Sequence, residues 1–174
     1  NTASAINLPA GNYTCTITDA NGCTTTASVA ISQPSGALSA NISASTNVLC
    51  HGNNTGSATV SVSGGTTSYS YSWNSTPVQT TATASNLPSG SYTCTVTDAN
   101  GCSTTANVTI DQPGAALNVT ANVTPAACQG ANNGAVDATV TGGTGIYSYA
   151  WTGPNGFTAG SQDVSSLQAG VYQL

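Results

Sequence analysis

A nearly literal internal repeat governs how this chain can fold. Residues 86–113 (NLPSGSYTCTVTDANGCSTTANVTIDQP) agree with residues 7–34 (NLPAGNYTCTITDANGCTTTASVAISQP) at 21 of 28 positions. Equivalent residues such as Cys15 and Cys94 are 79 positions apart, and a third copy begins at Leu167. Self-similarity at a fixed period is typical of tandem repeat proteins, in which each repeat is one structural unit. The chain is therefore predicted to be an array rather than one large domain.

The period divides the 174 residues into one whole unit and two partial ones. We predict the C-terminal half of a first repeat in residues 1–34, a complete repeat in residues 35–113 and the N-terminal part of a third, truncated repeat in residues 114–174. A unit of this size buries only about 60 to 65% of the surface that its unfolded chain exposes, so its core is small. Because residue 1 falls inside a repeat and no Met occurs, we expect the chain to be a segment of a longer polypeptide.

Alternating apolar and polar residues predict short β-strands along the chain. Tyr13, Cys15 and Ile17 alternate with threonines, which is the pattern of a strand with one buried face. The Asp-Ala-Asn-Gly sequence that follows suits a tight hairpin turn, because Asn and Gly accept positive φ. Further strands are predicted over residues 2–8, 23–31, 38–46, 57–63 and 81–87, through Tyr69, Tyr71 and Trp73, and through Tyr147, Tyr149 and Trp151. About seven strands per unit, without helical periodicity, predict an all-β fold of tandem Ig-like antiparallel β-sandwich domains, about 79 residues per repeat.

Aromatic residues recur at equivalent places in the units. The predicted structural core contains Trp73, Trp151, Tyr13, Tyr92 and Tyr172. The spacing L-x-x-G-x-Y-x-C that ends at Cys94 has the form of a tyrosine corner, with Trp73 as the expected central aromatic residue. Tyr69 and Tyr71 precede Trp73 at alternate positions and could form a stacking surface for sugars. Because their neighbours are all Ser, packing in the core is the favoured interpretation.

The charge composition excludes two classes of partner. The chain has no Lys and no Arg, and its five Asp residues give a net charge of −5. Binding to nucleic-acid phosphates or to anionic lipid headgroups depends on cationic side chains, so neither nucleic acid nor a membrane surface is expected as a partner. A polar but uncharged surface with recurrent cysteines is typical of secreted and cell-surface proteins. No apolar run approaches the roughly 20 residues of a membrane-spanning helix, so this segment is not expected to insert into a membrane.

Four motifs in order carry a resemblance to a known family. They are C-x-G-x-x-x-G from Cys50, the pair Gly64-Gly65, Y-x-Y-x-W from Tyr69, and L-P-x-G-x-Y-T-x-T-V-T-D-A-N-G-C from Leu87. Together, and over essentially the whole chain, they resemble the SprB repeat of long surface adhesins of gliding and related Bacteroidota. The resemblance implies Ig-like domains in tandem, secretion by the type IX system, and a role in adhesion or gliding. It implies no catalysis.

The sequence departs from the family pattern at two places. The Pro that usually precedes the first Tyr of the Y-x-Y-x-W motif is Ser68 here and Ile146 in the next copy. The position held by Cys15 and Cys94 is usually aliphatic, as at Leu174. The second departure bears on which cysteines are joined.

All six cysteines are candidates for disulfide bonds: Cys15, Cys23, Cys50, Cys94, Cys102 and Cys128. A bond between Cys50 and Cys94 within one unit is favoured, and its 45-residue loop would contribute roughly 4 kcal/mol in the chain-entropy model. The alternative joins the first cysteine of one unit to the hairpin cysteine of the following unit, which would stiffen the array. Metal binding ranks below both, because the C-x-x-C spacing is absent.

The remaining polar candidates are assigned structural roles. Asp98 and Asn100 resemble the start of a calcium loop, but no bidentate acid follows, and Asp-x-Asn-Gly is common in hairpin turns. His51 beside Cys50 could suggest a nucleophile and its base, but adjacent residues in an extended loop point apart, and the third unit has Gln129 in place of His51. No catalytic residue, metal site or cofactor is predicted.

Seven Asn-x-Ser/Thr sequons are possible glycosylation sites, at Asn12, Asn41, Asn53, Asn74, Asn107, Asn118 and Asn122. In a chain this rich in Asn, Ser and Thr, many of them are expected by chance. Glycans at these sites would shield strand edges that have no Lys to discourage edge pairing.

These features predict an extracellular, non-enzymatic repeat array at a bacterial cell surface, acting as the spacer or body of a long adhesin or filament. Its expected partners are neighbouring repeats of the same long chain and, in a filament, like chains. The alternative is a module that binds polysaccharide or a surface through weak contacts multiplied by repetition. The loops at residues 74–80 and 153–160 differ between copies while turns and core aromatics recur, which favours the spacer.

Overall fold

The computed structural model describes residues 4–174, whose regular secondary structure is β-strand apart from one short 3-10 helix at Pro154–Gly156. The predicted all-β fold of antiparallel sandwich repeats is confirmed. The strands in chain order are β1 (Gly11–Thr18), β2 (Thr24–Ile31), β3 (Ser39–Thr46), β4 (Gly56–Ser63), β5 (Ser70–Trp73), β6 (Thr83–Leu87), β7 (Gly90–Thr97), β8 (Ser103–Ile110), β9 (Asn118–Thr124), β10 (Gly134–Thr141), β11 (Trp151–Thr152), β12 (Thr158–Ala159) and β13 (Val164–Leu167).

The complete unit, residues 35–113, is a sandwich of two three-stranded sheets. One sheet has the order β3-β4-β6 and the other β5-β7-β8, with every pairing antiparallel. β3 also runs close to β8, which closes one side of the sandwich. The unit therefore has six strands instead of the predicted seven, because the segment between β5 and β6 is an irregular loop.

The core of the complete unit lies between its two sheets. Trp73, Leu87, Val96 and Ile110 are all fully buried there. They come from four different strands, which follows from the alternation of apolar residues along each strand. Burying one such side chain stabilises a fold by roughly 1.5–3 kcal/mol, so these four residues hold the two sheets together.

The first unit consists of one hairpin, β1 paired with β2. Its register, from Gly11 opposite Ile31 to Thr18 opposite Thr24, repeats the register of β7 with β8 residue by residue. The strand predicted over residues 2–8 is wrong for residues 4–8, which form no strand, and residues 2 and 3 lie outside the described part. The equivalent strand of the complete unit, β6, pairs with β4. No strand equivalent to β4 stands beside residues 4–8 in the described chain.

The third unit, residues 114–174, reproduces the first part of the complete unit. β9, β10 and β13 form a sheet with the order of β3, β4 and β6, and β11 pairs with β12. Its smaller core contains Val136, Ala138, Trp151, Val164 and Leu167. The predicted strand through Tyr147 and Tyr149 is formed only at Trp151–Thr152, because β5 is held by β7 and the third unit has no comparable full-length strand there.

Candidate functional site

A group of hydrogen bonds around Asp98 joins the two sheets of the complete unit at one end. The β7–β8 turn (residues 98–102) is ordered by Asp98, whose Oδ1 accepts hydrogen bonds from the N–H groups of Asn100 (2.9 Å) and Cys102 (2.9 Å). Its Oδ2 accepts a bond of 3.0 Å from the N–H of Thr66 in the β4–β5 corner (residues 64–66). Asn100 Nδ2 donates to Thr66 Oγ1 at 2.8 Å and strengthens this contact.

These contacts lower the pKa of Asp98 below its ordinary value, chiefly through the Thr66 N–H and further through the N–H groups of the turn. Each bond favours the ionised carboxylate, and together they outweigh the opposite effect of burial. The carboxylate oxygens are thus occupied by backbone donors. Asp98 acts as a turn residue, and its geometry offers no open calcium site.

At the opposite end of the complete unit, hydrogen bonds hold the connector, residues 111–113, from which the chain passes into the third unit. The β3–β4 loop (residues 47–55) contains His51, whose Nδ1–H donates to the carbonyl oxygen of Pro113 at 2.8 Å. Gly52 N–H donates to Oε1 of Gln112 at 2.9 Å. Val48 N–H donates to the carbonyl of Asp111 at 2.8 Å. Three successive connector residues are therefore held by one loop, and His51 has an architectural role.

A cavity of about 500 Å³ lies where this loop meets the third unit. Leu49, Cys50 and His51 line one side. Residues of the third unit line the other side of the cavity. They are apolar side chains and residues of the β10–β11 corner: Val119, Val140, Gly143, Thr144, Ile146, Tyr147, Tyr149 and Leu174. Neither the cavity nor the His51–Pro113 contact was predicted, since no local sequence pattern indicates them. The one available signal was the difference between His51 and Gln129 at equivalent positions.

The cysteines divide into one buried and five exposed thiols. Cys94 lies in the core on β7, whereas Cys15, Cys23, Cys50, Cys102 and Cys128 are exposed. All six are free, so the favoured bond between Cys50 and Cys94 is not formed. The positions explain this, because Cys94 pairs with Ala106 in the middle of the sheet while Cys50 lies in the end loop that faces the third unit.

The aromatic residues occupy the sandwich interior rather than an exposed platform. Trp73 is fully buried and its Nε1–H donates to the carbonyl of Thr81 at 2.9 Å. Tyr69 and Tyr71 are half-buried and pack against the same core. Trp151 is likewise buried, and its Nε1–H donates to the carbonyl of Ser161 at 3.0 Å. Trp73 and Trp151 therefore have no free ring face for stacking on a sugar.

The predicted tyrosine corner is confirmed in all three units. The hydroxyl of Tyr92 donates to the carbonyl of Pro88 at 3.0 Å. Tyr13 bonds to Pro9 in the same way at 2.8 Å, and Tyr172 bonds to the carbonyl of Gln168 at 3.2 Å. Tyr92 is buried, but Tyr13 and Tyr172 are only half-buried, because neither has a complete sandwich around it.

The sequon asparagines all lie on the surface. Asn12, Asn41, Asn53, Asn74, Asn107, Asn118 and Asn122 are exposed. Two of them are also used internally: Asn74 Oδ1 accepts from the Thr93 N–H at 2.8 Å, and Asn107 Oδ1 accepts from the Thr93 hydroxyl at 2.7 Å. An N-linked glycan is attached through Nδ2, so these two contacts, which use Oδ1, do not oppose glycosylation at either residue.

Within residues 4–174, no three or more His, Cys, Asp and Glu side chains are grouped so that they could hold a metal ion. The same residues contain no helix with the length and apolar character needed to span a bilayer.

Comparison with known families gives two matches, both to the SprB repeat, at residues 42–77 and 120–156. The first segment runs from β3 to just beyond β5, and the second covers the equivalent part of the third unit. Both contain the strand pair, the Gly-Gly corner and the buried Trp described above. A comparison with curated proteins gives no significant match.

Proposed function

Because residues 42–77 and 120–156 are SprB repeats, we propose that this chain is part of an extracellular, non-enzymatic repeat array of a surface adhesin, in which it serves as spacer. The family match supports a surface adhesin-type repeat region. The specific role rests on a physical argument. The features that recur between units are those that hold the scaffold together, whereas the loops at residues 74–80 and 153–160 do not recur.

The observation that supports this proposal is the set of hydrogen bonds that holds the last residues of the complete unit, from which the chain passes into the third unit. Three connector residues are hydrogen-bonded to the β3–β4 loop, including the 2.8 Å contact of His51 with Pro113. A connector held in this way restricts bending between consecutive units. An array of such units behaves as a chain of stiff segments whose stability is close to a sum of unit and junction contributions. Reach and stiffness are what a spacer needs.

A binding role has one structural feature in its favour. A polar cleft of about 390 Å³ lies beside the β5–β6 loop and is lined by Asn74, Pro77, Gln79, Ser85 and Tyr92 among others. The corresponding cleft of the third unit is smaller, about 280 Å³, and is lined by Pro154, Asn155, Phe157 and Tyr172. Since the two clefts differ in chemistry, repetition would not multiply the affinity for one ligand. This difference favours the spacer over the carbohydrate-binding module.

Two measurements on the whole chain test the proposal. Small-angle scattering of a variant kept monomeric should show an elongated particle in which the complete and third units keep a fixed relative orientation. Binding to a panel of polysaccharides should be absent at millimolar sugar concentration. A compact or freely jointed particle would contradict the spacer, and saturable binding abolished by Gln79→Ala would establish the cleft as a sugar site instead.

A further inference from the structure

The complete unit has an open side at which each of its sheets ends in an edge strand. β6 is the last strand of one sheet and β5 the last strand of the other, and each pairs with a neighbouring strand on one side only. On the opposite side of the sandwich, β3 lies close to β8. An edge strand presents backbone N–H and C=O groups to which a strand of another molecule can bond. The β5–β6 side is therefore where two units would associate laterally.

Gln79 bonds to the backbone of both edge strands. Its side-chain amide makes two hydrogen bonds to Ser85 in β6, because Nε2 donates to the Ser85 carbonyl oxygen at 2.9 Å and Oε1 accepts from the Ser85 N–H at 2.9 Å. The main-chain carbonyl of Gln79 accepts a hydrogen bond of 2.9 Å from the N–H of Trp73 in β5. A side-chain amide has an N–H donor and a C=O acceptor, as a peptide group does. The amide of Gln79 thus takes the place at Ser85 that the backbone of an added strand would take.

The next position along the β6 edge is also bonded within the chain. The hydroxyl of Thr81 donates to the carbonyl oxygen of Thr83 at 2.6 Å. Thr81 is itself fixed, because its carbonyl accepts the indole N–H of Trp73 at 2.9 Å. Residues two apart along a strand direct their backbone groups to the same side, so Thr83 and Ser85 are consecutive positions of the outer edge. The segment that joins β5 to β6 therefore supplies bonds that an added strand would otherwise make.

Charge does not protect this edge of the complete unit. The exposed residues of β6 are Thr83, Ser85 and Asn86, and none of them is charged. Natural proteins commonly protect an edge strand with charged side chains, especially Lys, and this chain has no Lys. Two copies of β6 would therefore meet without electrostatic repulsion. The hydrogen bonds of Gln79 are the protection that the edge does have.

The equivalent edge of the third unit, β13, has a charge and lacks the amide. The bond from the Ser161 hydroxyl to the carbonyl of Asp163, 2.6 Å long, repeats that of Thr81 to Thr83. Ala159 pairs with Trp151 where Gln79 bonds to Trp73, so no side-chain amide is available there. Asp163, an exposed acid, precedes the first residue of β13. The two units thus combine different devices at the same edge, an amide without a charge and a charge without an amide.

We propose that Gln79 prevents the complete unit from pairing edge to edge with a second copy of this chain. The pairing that it blocks is an antiparallel, isologous contact between the β6 strands of two copies, in which the two Ser85 residues exchange both N–H···O bonds. By occupying Ser85, the amide keeps neighbouring chains apart along their sides. This role does not depend on the proposed surface function, since it concerns the association of the chain wherever the chain acts.

Analytical ultracentrifugation of the whole chain under reducing conditions tests the proposal. Gln79→Ala should self-associate more tightly than wild type by roughly tenfold or more, because pairing then satisfies backbone groups that the amide no longer occupies. Gln112→Ala is the matched control, since Oε1 of Gln112 also accepts a backbone N–H, that of Gly52 at 2.9 Å, but at the end of the unit instead of along β6. It should sediment like wild type. A folded Gln79→Ala that sediments like wild type, or equal association of both variants, would overturn the proposal.

A second substitution shows whether the added association runs through β6. Ser85→Pro removes the N–H that the paired copies would exchange, and proline is tolerated on edge strands whose N–H side faces solvent. The double variant Gln79→Ala/Ser85→Pro should therefore return to the association of wild type. Far-ultraviolet circular dichroism and Trp fluorescence show that each variant is folded. A folded double variant that associates as tightly as Gln79→Ala would contradict pairing through Ser85.

Hydrogen exchange of the Ser85 amide, followed by NMR, tests the same idea without relying on a variant. In wild type this amide should exchange slowly at every protein concentration, because Gln79 of the same chain holds it. In Gln79→Ala it should exchange rapidly in dilute solution and slowly in concentrated solution, where a second copy takes the place of Gln79. A wild-type Ser85 amide that exchanges as fast as an unprotected one would overturn the proposal, whatever the variants do.

Discussion

Asp98 Oδ2 accepts a hydrogen bond of 3.0 Å from the backbone N–H of Thr66, and this contact joins the β7–β8 turn to the β4–β5 corner. The two segments are 32 residues apart in the chain and belong to different sheets. The same carboxylate orders its own turn through Asn100 and Cys102. One side chain therefore stabilises both the hairpin and its attachment to the opposite sheet.

Asp98 should make the stability of the complete unit depend on acid pH. Its pKa is lowered in the folded state, so its contribution is complete above the ordinary value of 3.8 and is lost as pH falls through the lower folded pKa. We expect Asp98→Asn to lower the urea midpoint at pH 7 and to reduce the further loss below pH 4. The measurement is urea unfolding from pH 7 to pH 2, followed by Trp73 fluorescence in a Trp151→Phe background.

The control for this titration is Asp111→Asn, since Asp111 is an exposed acid of the same unit. That variant should retain both the neutral-pH stability and the acid-dependent loss of the wild-type protein. If Asp98→Asn unfolds with the same pH dependence as the control, the hydrogen bond between Asp98 and Thr66 does not contribute to the free energy of unfolding.

The strands that the sequence predicted correctly are those whose signals are local. The positions of β1, β2 and the strands of the complete unit follow from alternation, and the corner of Tyr92 with Pro88 follows from a short spacing motif. The strand predicted over residues 2–8 is absent from residues 4–8, and the one predicted through Tyr147, Tyr149 and Trp151 is formed only at its end, although both sequences alternate. A strand exists only when a neighbour accepts its hydrogen bonds, and whether a neighbour is present is not encoded in the strand itself.

The contacts where the complete unit meets the third unit could not be predicted from the sequence, for a related reason. The tie between His51 and Pro113 joins residues 62 positions apart, and neither residue belongs to a periodic pattern. The bond between Cys50 and Cys94 was expected because the predicted topology put both residues at one end of the sandwich, whereas both thiols are free and Cys50 lies beside the third unit. Long-range placement of loops depends on the assembled sheets.

Thiol labelling should distinguish Cys94 from the other cysteines. Burial raises the pKa of the Cys94 thiol and excludes reagents, so its reactive thiolate is scarce. With reduced monomeric protein, N-ethylmaleimide should add five groups rapidly and a sixth only in denaturant, as counted by intact mass spectrometry. Cys94→Ala should stop at five in both conditions. Rapid addition of six groups to folded protein would show that the core around Cys94 is open.

His51 should control access to the connector. We expect His51→Gln, which introduces the residue of the third unit, to remove the bond to Pro113 and to cost about 1 kcal/mol of local stability. Cleavage by elastase after Ala115 or Ala116 should then be roughly fivefold faster, since proteolysis follows the population of the open form. Trypsin is unsuitable because the chain has no Lys or Arg. Asn54→Ala, in the same loop, should leave the rate unchanged, and an equal rate for His51→Gln would show that the loop does not restrain the connector.

Gly64 should be the least replaceable glycine of the complete unit. It has a φ of 68°, and a Cβ added there would overlap the carbonyl oxygen of Ala37. Gly142 of the third unit repeats this approach to Ala116, so the close contact belongs to the scaffold. Gly101 is the matched control, because it has a φ of 83° and an added Cβ would meet nothing within 4 Å.

Comparing the two alanine variants separates backbone strain from steric overlap. Gly101→Ala should cost about 1–2 kcal/mol, the ordinary penalty for an L-residue in the left-handed region. Gly64→Ala has the same penalty and an additional overlap of about 1–3 kcal/mol, because backbone atoms on both sides must shift. Urea unfolding followed by Trp73 fluorescence measures both free energies of unfolding. Equal losses would mean that the chain around Ala37 moves freely, and the corner at Gly64 would then not fix the start of β3 against the end of β4.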